Sequence, residues 1–153
     1  QQLSVASASS IENKLSKRLQ SEIFGLESID RLEDRQLAGC GLSRQKIRYL
    51  RALCDSIESG FINLEQLSGL ENEAIADTLM SLPGIGPWTV DMFLMFSLGR
   101  LDVLPLGDLA LRKSIEQHYA LPGNPAMRDY HAVAERWRPY RTISSWYLWA
   151  AVD

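Results

Sequence analysis

Asp108 is the residue of this chain whose position best suits chemistry. It follows Gly107 and directly precedes a run of helical periodicity, with Leu111 and Ile115 on one face. Aspartate at such a position usually caps the helix by accepting a hydrogen bond from a backbone N–H of the first turn. The positive end of a helix also favours a negatively charged side chain, which suits stabilisation of a cation and not proton donation. The residues alone therefore predict an N-cap and leave a chemical role open.

Two tryptophans are further candidates, because an electron-rich ring attracts a cationic ligand. Trp88 follows the string LPGIGP, and by residue type it is typical of a core aromatic. In the last predicted helix, Trp149 shares a mixed face with Thr142 and Ser145. The other side of that helix carries an apolar stripe made of Ile143, Trp146, Tyr147 and Ala150. We expect a tryptophan on the mixed face to line a cavity instead of the tight core.

The turn that must position these groups is LPGIGPWT, Leu82 to Thr89. Gly84 and Gly86 permit positive φ or close backbone approach, and Pro87 suits the first turn of a helix. Exposed N–H groups at a helix N-terminus would bind an anion, which implies a phosphate. The alternative is an ordinary tight connection between two helices, and the glycines alone favour it.

Helical patterns flank this turn and extend along the whole chain, with no strand alternation and no repeat. We expect an all-α fold, a multi-helix orthogonal bundle formed by residues 1–153 as a single domain. Pro87 to Gly99 is apolar on nearly every side, which predicts a buried helix. The sequence also predicts helices from Glu71 to Ser81, from Met127 to Trp137 and from Thr142 to the end. One further predicted helix is capped by Asp30 and ends at Ala38, another is capped by Ser43 and ends at Gly60, and a third starts at Asp108.

Composition limits the possible partners. The formal net charge of −3 argues against a generally basic nucleic-acid binder, so any such binding needs a local basic patch or backbone dipoles. One candidate patch contains Arg44, Lys46, Arg48 and Arg51, and another contains Arg136, Arg138 and Arg141. Solvated helix faces are an equally good interpretation of the first patch.

Cysteine and histidine usage indicates no metal centre. Cys40 and Cys54 provide neither a disulfide framework nor a zinc site, and we expect two small buried side chains in a reducing compartment. His118 and His131 lack metal-ligand spacing, and Asp91 is a lone charge in an apolar run. No run is long enough for a membrane span and no signal peptide is present. A soluble protein of the cytoplasm, or of the nucleus in a eukaryote, is the expectation.

A resemblance covers almost the whole chain in order. The residues that carry it are QQLSVASA, LSRQKIRYL, LPGIGPWTVDMFLMFSLGR, DVLPLGDLALRKSI and ERWRPYRTISSWYLW. Together they resemble the helix-hairpin-helix DNA glycosylases, and more closely the DNA-3-methyladenine glycosylase II family of alkylation-repair enzymes. In that family the motif QQLS lies well inside the chain, so the resemblance implies that an N-terminal segment is missing here.

The resemblance also implies roles for particular residues. Asp108 would be the catalytic aspartate, the base pocket would contain Trp88, Met92 and Trp149, and the DNA phosphate would be bound by Gly84, Gly86 and Thr89. Close relatives have a tyrosine where this chain has Met92. A wedge residue filling the space of the flipped nucleotide falls on Gln2. Backbone carbonyls that hold a monovalent cation in the family correspond to those of Met80, Leu82 and Ile85.

The implied reaction is monofunctional hydrolysis of the N-glycosidic bond of a flipped-out alkylated base, such as 3-methyladenine or 7-methylguanine. Relatives that also cut the strand place a lysine after GIGP as nucleophile, and this chain has Trp88 there. The four-cysteine iron–sulfur cluster of many relatives has no counterpart, and no cofactor is required. The expected partner of a monomeric enzyme is double-stranded DNA with damaged bases. Two alternatives stay open: a non-catalytic helix-hairpin-helix DNA-binding module, and a glycosylase for deaminated or oxidised bases.

Overall fold

The computed structural model describes residues 5–21 and 24–151, most of which are helical. These residues contain no strand, which confirms the predicted all-α class. The chain divides into two compact units. Unit 1 comprises Gln1–Gln66 and Leu82–Gly84, and unit 2 comprises Leu67–Ser81 and Ile85–Asp153.

In its described residues, unit 1 has a small apolar core to which the helices before residue 60 belong. They are α1 (Val5–Leu19), α2 (Leu26–Asp30), α3 (Asp34–Gly39) and α4 (Arg44–Glu58). The core consists of Leu15, Leu32, Leu37, Cys40 and Ile47, with Ile11, Leu19, Leu42 and Leu50 packed against it. Ser43 caps α4 as predicted, since its hydroxyl accepts the Lys46 N–H at 3.3 Å. Both cysteines are buried free thiols, as expected.

The predicted cap at Asp30 is wrong. Asp30 is the last residue of α2, and Glu33 precedes α3. The Glu33 N–H donates to the Gln36 side chain at 2.8 Å, which gives α3 a start signal of its own. The Asp30 carboxylate instead lies 3.3 Å from the guanidinium of Arg51.

A short helix, α5 (Leu64–Leu67), leads into unit 2. Unit 2 contains α6 (Asn72–Met80), α7 (Pro87–Met92), α8 (Leu109–His118), α9 (Met127–Ala134) and α10 (Arg141–Ala150). Its core consists of Leu106, Leu111, Ile115, Tyr130 and Leu148, with Leu104, Leu121, Val133, Trp137 and Trp149 packed against it. None of the helices in the described part of the chain is long and apolar enough to cross a bilayer.

Two predicted helices differ from the observed ones in their second halves. The helix predicted from Met127 to Trp137 is α-helical to Ala134 and tightens to a 3₁₀ turn over Glu135–Trp137. After Met92, α7 continues as a π-helical segment, Phe93–Ser97, in which the Leu98 N–H donates to the Phe93 carbonyl at 3.1 Å. This segment widens the helix just before Gly99.

Candidate active site

Asp108 occupies the N-cap of α8, as predicted. A tight turn positions it, because its N–H donates to the Pro105 carbonyl at 2.9 Å and Pro105 is fully buried. Its carboxylate oxygen Oδ1 accepts the Leu111 N–H at 2.8 Å. The side chain is half-buried, so the cap is at the surface of unit 2 and not in its packed interior. The carboxylate is therefore available to a ligand as well as to the helix.

Two indole rings also donate to the carboxylate of Asp108. The Trp149 Nε1–H lies 3.0 Å from Oδ1, and the Trp88 Nε1–H lies 3.2 Å from Oδ2. The site thus joins α7, α8 and α10, and the sequence separations of 20 and 41 residues show that tertiary folding assembles it. Oδ1 accepts two hydrogen bonds and Oδ2 accepts one, which leaves Oδ2 with an uncommitted lone pair. Sequence analysis anticipated ring faces acting on a ligand, whereas here the ring edges hold the aspartate.

Phe96 is a site neighbour that the sequence analysis missed. It is 61% exposed and stacks on Trp149, with ring centroids 6.4 Å apart and planes at 24°. It also stacks on Trp146 at 6.0 Å and 9°. The expectation that the whole run from Pro87 to Gly99 is buried was wrong at this position. A usable signal was present, since Trp88, Met92 and Phe96 recur every four residues.

The inward face of α10 is the mixed one. Thr142, Ser145 and Leu148 are buried, while Trp146 and Tyr147 from the apolar stripe are exposed. The hydroxyls tolerate burial because they are satisfied: Thr142 Oγ1 donates to the Arg100 carbonyl at 2.7 Å and accepts the Val103 N–H at 3.1 Å. Trp149 is half-buried at the edge of this face, beside Asp108. Its predicted separation from the tight core is only partial, because it packs against the core cluster of unit 2.

Two residues of α7 complete the surroundings of Trp88. Met92 is half-buried and lies one helical turn after Trp88. Asp91 is also half-buried, and burial raises the pKa of its carboxyl to about 6. Asp91 has no hydrogen-bond partner that the described residues supply. Its burial without a partner explains the direction of this shift in pKa.

The glycines of the turn have different functions in the fold. Gly84 has φ +83°, and a Cβ there would lie 2.1 Å from the ring of Tyr49, so this position requires glycine. Gly86 caps α7 with φ −111°, a conformation open to any residue, and a Cβ there would meet nothing within 4 Å. Positive φ, which glycine permits, thus occurs at Gly84 and not at Gly86, where close approach of a ligand to the backbone stays a prediction. Thr89 lies half-buried in the first turn of α7.

Three of the seven basic residues in the two candidate patches form internal contacts. Arg51 donates to the Asp34 carboxylate at 3.1 Å and to the Ile29 carbonyl at 3.4 Å. Arg141 forms ion pairs with Asp102 at 2.6 Å, and Arg138 with the same carboxylate at 2.9 Å. Internal contacts occupy these three arginines, so they are not available to bind an anion in the predicted patches. Arg44, Arg48 and Arg136 remain exposed.

The remaining predictions concern a histidine, bound metal ions and the wedge residue. The exposed ring of His118 contacts the Ser114 carbonyl of its own helix at 2.9 Å, in agreement with a capping histidine. No cluster of three or more His, Cys, Asp or Glu side chains that could hold a metal occurs in the described ranges. The cation predicted at Met80, Leu82 and Ile85 would be held by backbone carbonyls and stays a prediction. Gln2, the predicted wedge, lies outside the described residues.

Comparison with known proteins supports the resemblance. A family model described as "HhH-GPD superfamily base excision DNA repair protein" matches residues 1–139. DNA-3-methyladenine glycosylase 1 of Schizosaccharomyces pombe is 34% identical over 151 residues, 97% of this chain and 66% of that protein. A Bacillus subtilis relative is 35% identical over 127 residues, which are 83% of this chain and 44% of its own length. The chain therefore spans about half to two thirds of the length of these curated relatives.

Solved structures agree in fold. The crystal structure of a DNA-3-methyladenine glycosidase from Bacillus halodurans superposes with a TM-score of 0.86 at 35% identity, over 100% of this chain and 70% of that one. The 3-methyladenine DNA glycosylase Mag1 of Schizosaccharomyces pombe, in complex with abasic DNA, gives 0.84 at 33% identity, over 97% of this chain and 73% of that one.

Proposed function

This chain belongs to the HhH-GPD superfamily of base excision DNA repair proteins, and on that premise we propose that it works as a monofunctional DNA glycosylase for alkylated bases. The substrates would be 3-methyladenine and 7-methylguanine in double-stranded DNA, and the protein would act where the DNA is, in the nucleoid or the nucleus. The observation that carries the proposal is the half-buried carboxylate of Asp108, oriented by two indole N–H groups. The names of the relatives support the same assignment.

Asp108 acts as a charged group next to the sugar. Departure of the base breaks the bond between base nitrogen and sugar carbon, and the electron pair leaves with the base. Positive charge then develops on the deoxyribose, and an anion aimed at it lowers the barrier. Because Oδ1 already accepts two hydrogen bonds, Oδ2 is the oxygen that faces the sugar or orients the attacking water. Water supplies the new oxygen on the sugar, and its proton passes to solvent.

The aromatic surroundings fit a cationic base. A base alkylated at a ring nitrogen carries positive charge and leaves without protonation by the enzyme. Stacking on Trp88 or Trp149 would contribute about 2 kcal/mol or more in a desolvated site. Met92 completes the pocket with a polarisable thioether. A neutral deaminated or oxidised base would instead need hydrogen-bonding groups that recognise its edge, and none of these three side chains offers a suitable set beyond the indole N–H groups already bound to Asp108.

Strand cleavage is not part of the proposed reaction. The residue after GIGP is Trp88, and the four lysines of the chain, Lys14, Lys17, Lys46 and Lys113, lie elsewhere in the sequence. A Schiff base at the sugar therefore lacks its nucleophile at that position. Treatment with borohydride during turnover should trap no covalent complex with DNA, and a trapped complex would refute the monofunctional assignment.

DNA would be held at the turn before α7. Gly84, Gly86 and Thr89 would bind a backbone phosphate, and the open space beside Gly86 would leave room for its oxygens. A monovalent cation on the carbonyls of Met80, Leu82 and Ile85 would strengthen that contact, and Gln2 would fill the gap left by the flipped nucleotide. No other cofactor and no iron–sulfur cluster is part of the proposal, and a monomer is sufficient.

The decisive experiment replaces Asp108 by asparagine in the whole protein. Asparagine caps a helix as well as aspartate and has nearly the same volume, so α8 should keep its start. We expect Asp108→Asn to lower release of 3-methyladenine or 7-methylguanine by at least about a hundredfold, because the charge that stabilises the sugar cation is lost. DNA binding should stay near the wild-type level, and a thermal melt checks the fold.

Each competing function makes a different prediction in the same assay. A wild-type protein that binds DNA and releases no base would be a non-catalytic binding module. Normal release by Asp108→Asn would show that another group performs the chemistry. A panel of methylated, deaminated and oxidised bases would identify a glycosylase for neutral lesions if only the last two classes were released.

A further inference from the structure

A concave, positively charged cleft in unit 1 has no part in the site around Asp108, which belongs to unit 2. It lies between α3 and α4 and encloses about 620 Å³. We call it the arginine cleft, and its lining residues are Asp34, Arg35, Ala38, Arg44, Ile47 and Arg48. Three of the six carry a guanidinium group, in a chain whose formal net charge is −3. The positive charge is therefore concentrated locally against the overall charge of the molecule.

The carboxylate that lines the arginine cleft is already paired with an arginine. Asp34 accepts hydrogen bonds from Arg51 at 3.1 and 3.2 Å, and Arg51 does not line the cleft. Arg35 forms an ion pair with Glu33 at 2.6 Å. Arg44 and Arg48 are exposed, and their guanidinium groups form no hydrogen bond or ion pair with any residue within 5–21 and 24–151. Two guanidinium groups are thus available to an incoming anion.

The arrangement of Arg44 and Arg48 costs stability in the absence of an anion. They are four residues apart on α4, so their charges lie on one face of the helix and repel each other. Arg44 is also the first residue of α4, where the positive end of the helix disfavours a cation. An anion between the two arginines would reverse the sign of both effects.

We propose that the arginine cleft binds a phosphodiester group of the DNA backbone, which adds a second phosphate contact to the one at the turn before α7. This inference rests on the proposed DNA-binding function. Guanidinium groups match phosphate oxygens in a two-point geometry. The volume of the cleft exceeds that of a lone phosphate, and Ala38 and Ile47 provide an apolar wall against which a deoxyribose can pack. A free phosphate ion would use the same guanidinium groups but would leave that wall empty.

The test compares the salt dependence of DNA binding between matched double variants of the whole protein. Arg44→Ala/Arg48→Ala removes both available guanidinium groups from an exposed helix face, where alanine is a good helix former. Arg31→Ala/Arg128→Ala removes the same charge from two arginines whose side chains are 78% and 89% exposed. The slope of log Kd against log salt on an abasic duplex should fall by about 1.8 in the first variant if each arginine contacts one phosphate, and stay unchanged in the control.

The outcomes separate the possible ligands. Equal slopes in the two double variants would overturn the proposal. The proposal would also be overturned, in favour of a free-anion site, if inorganic phosphate shifted the guanidinium NMR signals of Arg44 and Arg48 while the salt slope for DNA stayed unchanged. Release of methylated bases by the wild-type protein is measured separately on the same sequence. A wild-type protein that binds without release would refute the glycosylase function, while the slope comparison would still decide on the arginine cleft.

Discussion

At the scale of single residues, the carboxylate of Asp108 combines a structural role with the chemical role that we propose for it. Its Oδ1 atom closes the first turn of α8 through the Leu111 N–H, and the indoles of Trp88 and Trp149 fix the plane of the carboxylate. Hydrogen bonds to a charged group are worth about 1.5–3 kcal/mol each. The tryptophans are therefore expected to act on the reaction through the position of Asp108 as well as through contact with the base.

Trp149→Phe tests this orientation. Phenylalanine keeps an aromatic ring next to Phe96 but removes the N–H that donates to Oδ1. We expect single-turnover release of a methylated base to slow by about 10- to 100-fold, the equivalent of one hydrogen bond to a charge. Trp137→Phe is the matched control, because its indole donates to the hydroxyl of Tyr119 at 3.0 Å, away from Asp108. Equal rates for the two variants would show that the indole N–H does not position the catalytic carboxylate.

At the scale of elements, contacts at both ends of α10 position the helix that carries Trp149. At its start the Arg141 guanidinium donates to both carboxylate oxygens of Asp102, at 2.6 and 3.0 Å, and to the Asp102 carbonyl at 2.9 Å. Near its end the Leu148 carbonyl accepts the hydroxyl of the fully buried Ser114 at 2.7 Å. Ser114 lies on α8, the helix that Asp108 begins. The direction of α10 is thereby tied to that of α8.

Asp102→Asn should weaken the start of α10 in a pH-dependent way. The hydrogen bond from Arg141 holds the pKa of the Asp102 carboxyl below its usual 3.8. A lowered folded-state pKa contributes stability that is present above about pH 3.8 and is lost as pH falls through the folded-state value. We expect the variant to melt a few degrees below wild type at pH 7, with the difference shrinking below about pH 4. Melting curves at several pH values measure this, and a constant difference down to pH 2 would show that the ion pair is not its source.

At the scale of the whole molecule, the turn between α6 and α7 places different structural requirements on its two glycines. Leu82–Gly84 belongs to unit 1, although the segments before and after it, Leu67–Ser81 and the run from Ile85, belong to unit 2. Gly84 is required there by its positive φ and by the ring of Tyr49, whereas Gly86 is free of both constraints. A comparison of substitutions at Gly84 and Gly86 can therefore separate an effect on folding from the DNA contact that we propose.

Gly84→Ala should lower the stability of the fold, whereas Gly86→Ala should lower the affinity for DNA. In the first, backbone strain and overlap with Tyr49 should cost about 3 kcal/mol or more, which lowers the melting temperature by roughly 6–12 °C. In the second, the melting temperature should stay near wild type while affinity for DNA falls, because a methyl group would fill the space that we assign to a phosphate. Gly123→Ala, also in open space, is the control for DNA binding. A Gly86→Ala protein with normal affinity would remove Gly86 from the phosphate site.

Sequence reasoning was most successful where a local pattern decides the outcome. The all-α class, the caps at Ser43 and Asp108 and the buried cysteines follow from helical periodicity and from short-range hydrogen bonding. It was wrong for Asp30, because a distant arginine, Arg51, competes for that carboxylate. It also did not predict that Thr142, on the mixed face of α10, is buried, because this hydroxyl is satisfied by carbonyl and amide groups about forty residues away in the chain.

The sequence by itself determined the family of this protein, its helices and the aspartate at the start of α8, because each depends on residue types at fixed spacing. Only the tertiary structure decided how Asp108 is held, which arginines remain available and where Phe96 points. Those features depend on contacts between residues far apart in the chain and, for Phe96, on a π-helical segment. Hydrophobic periodicity places Phe96 on one face with Trp88 and Met92, but it carries no information about those distant contacts or about the π-helical segment.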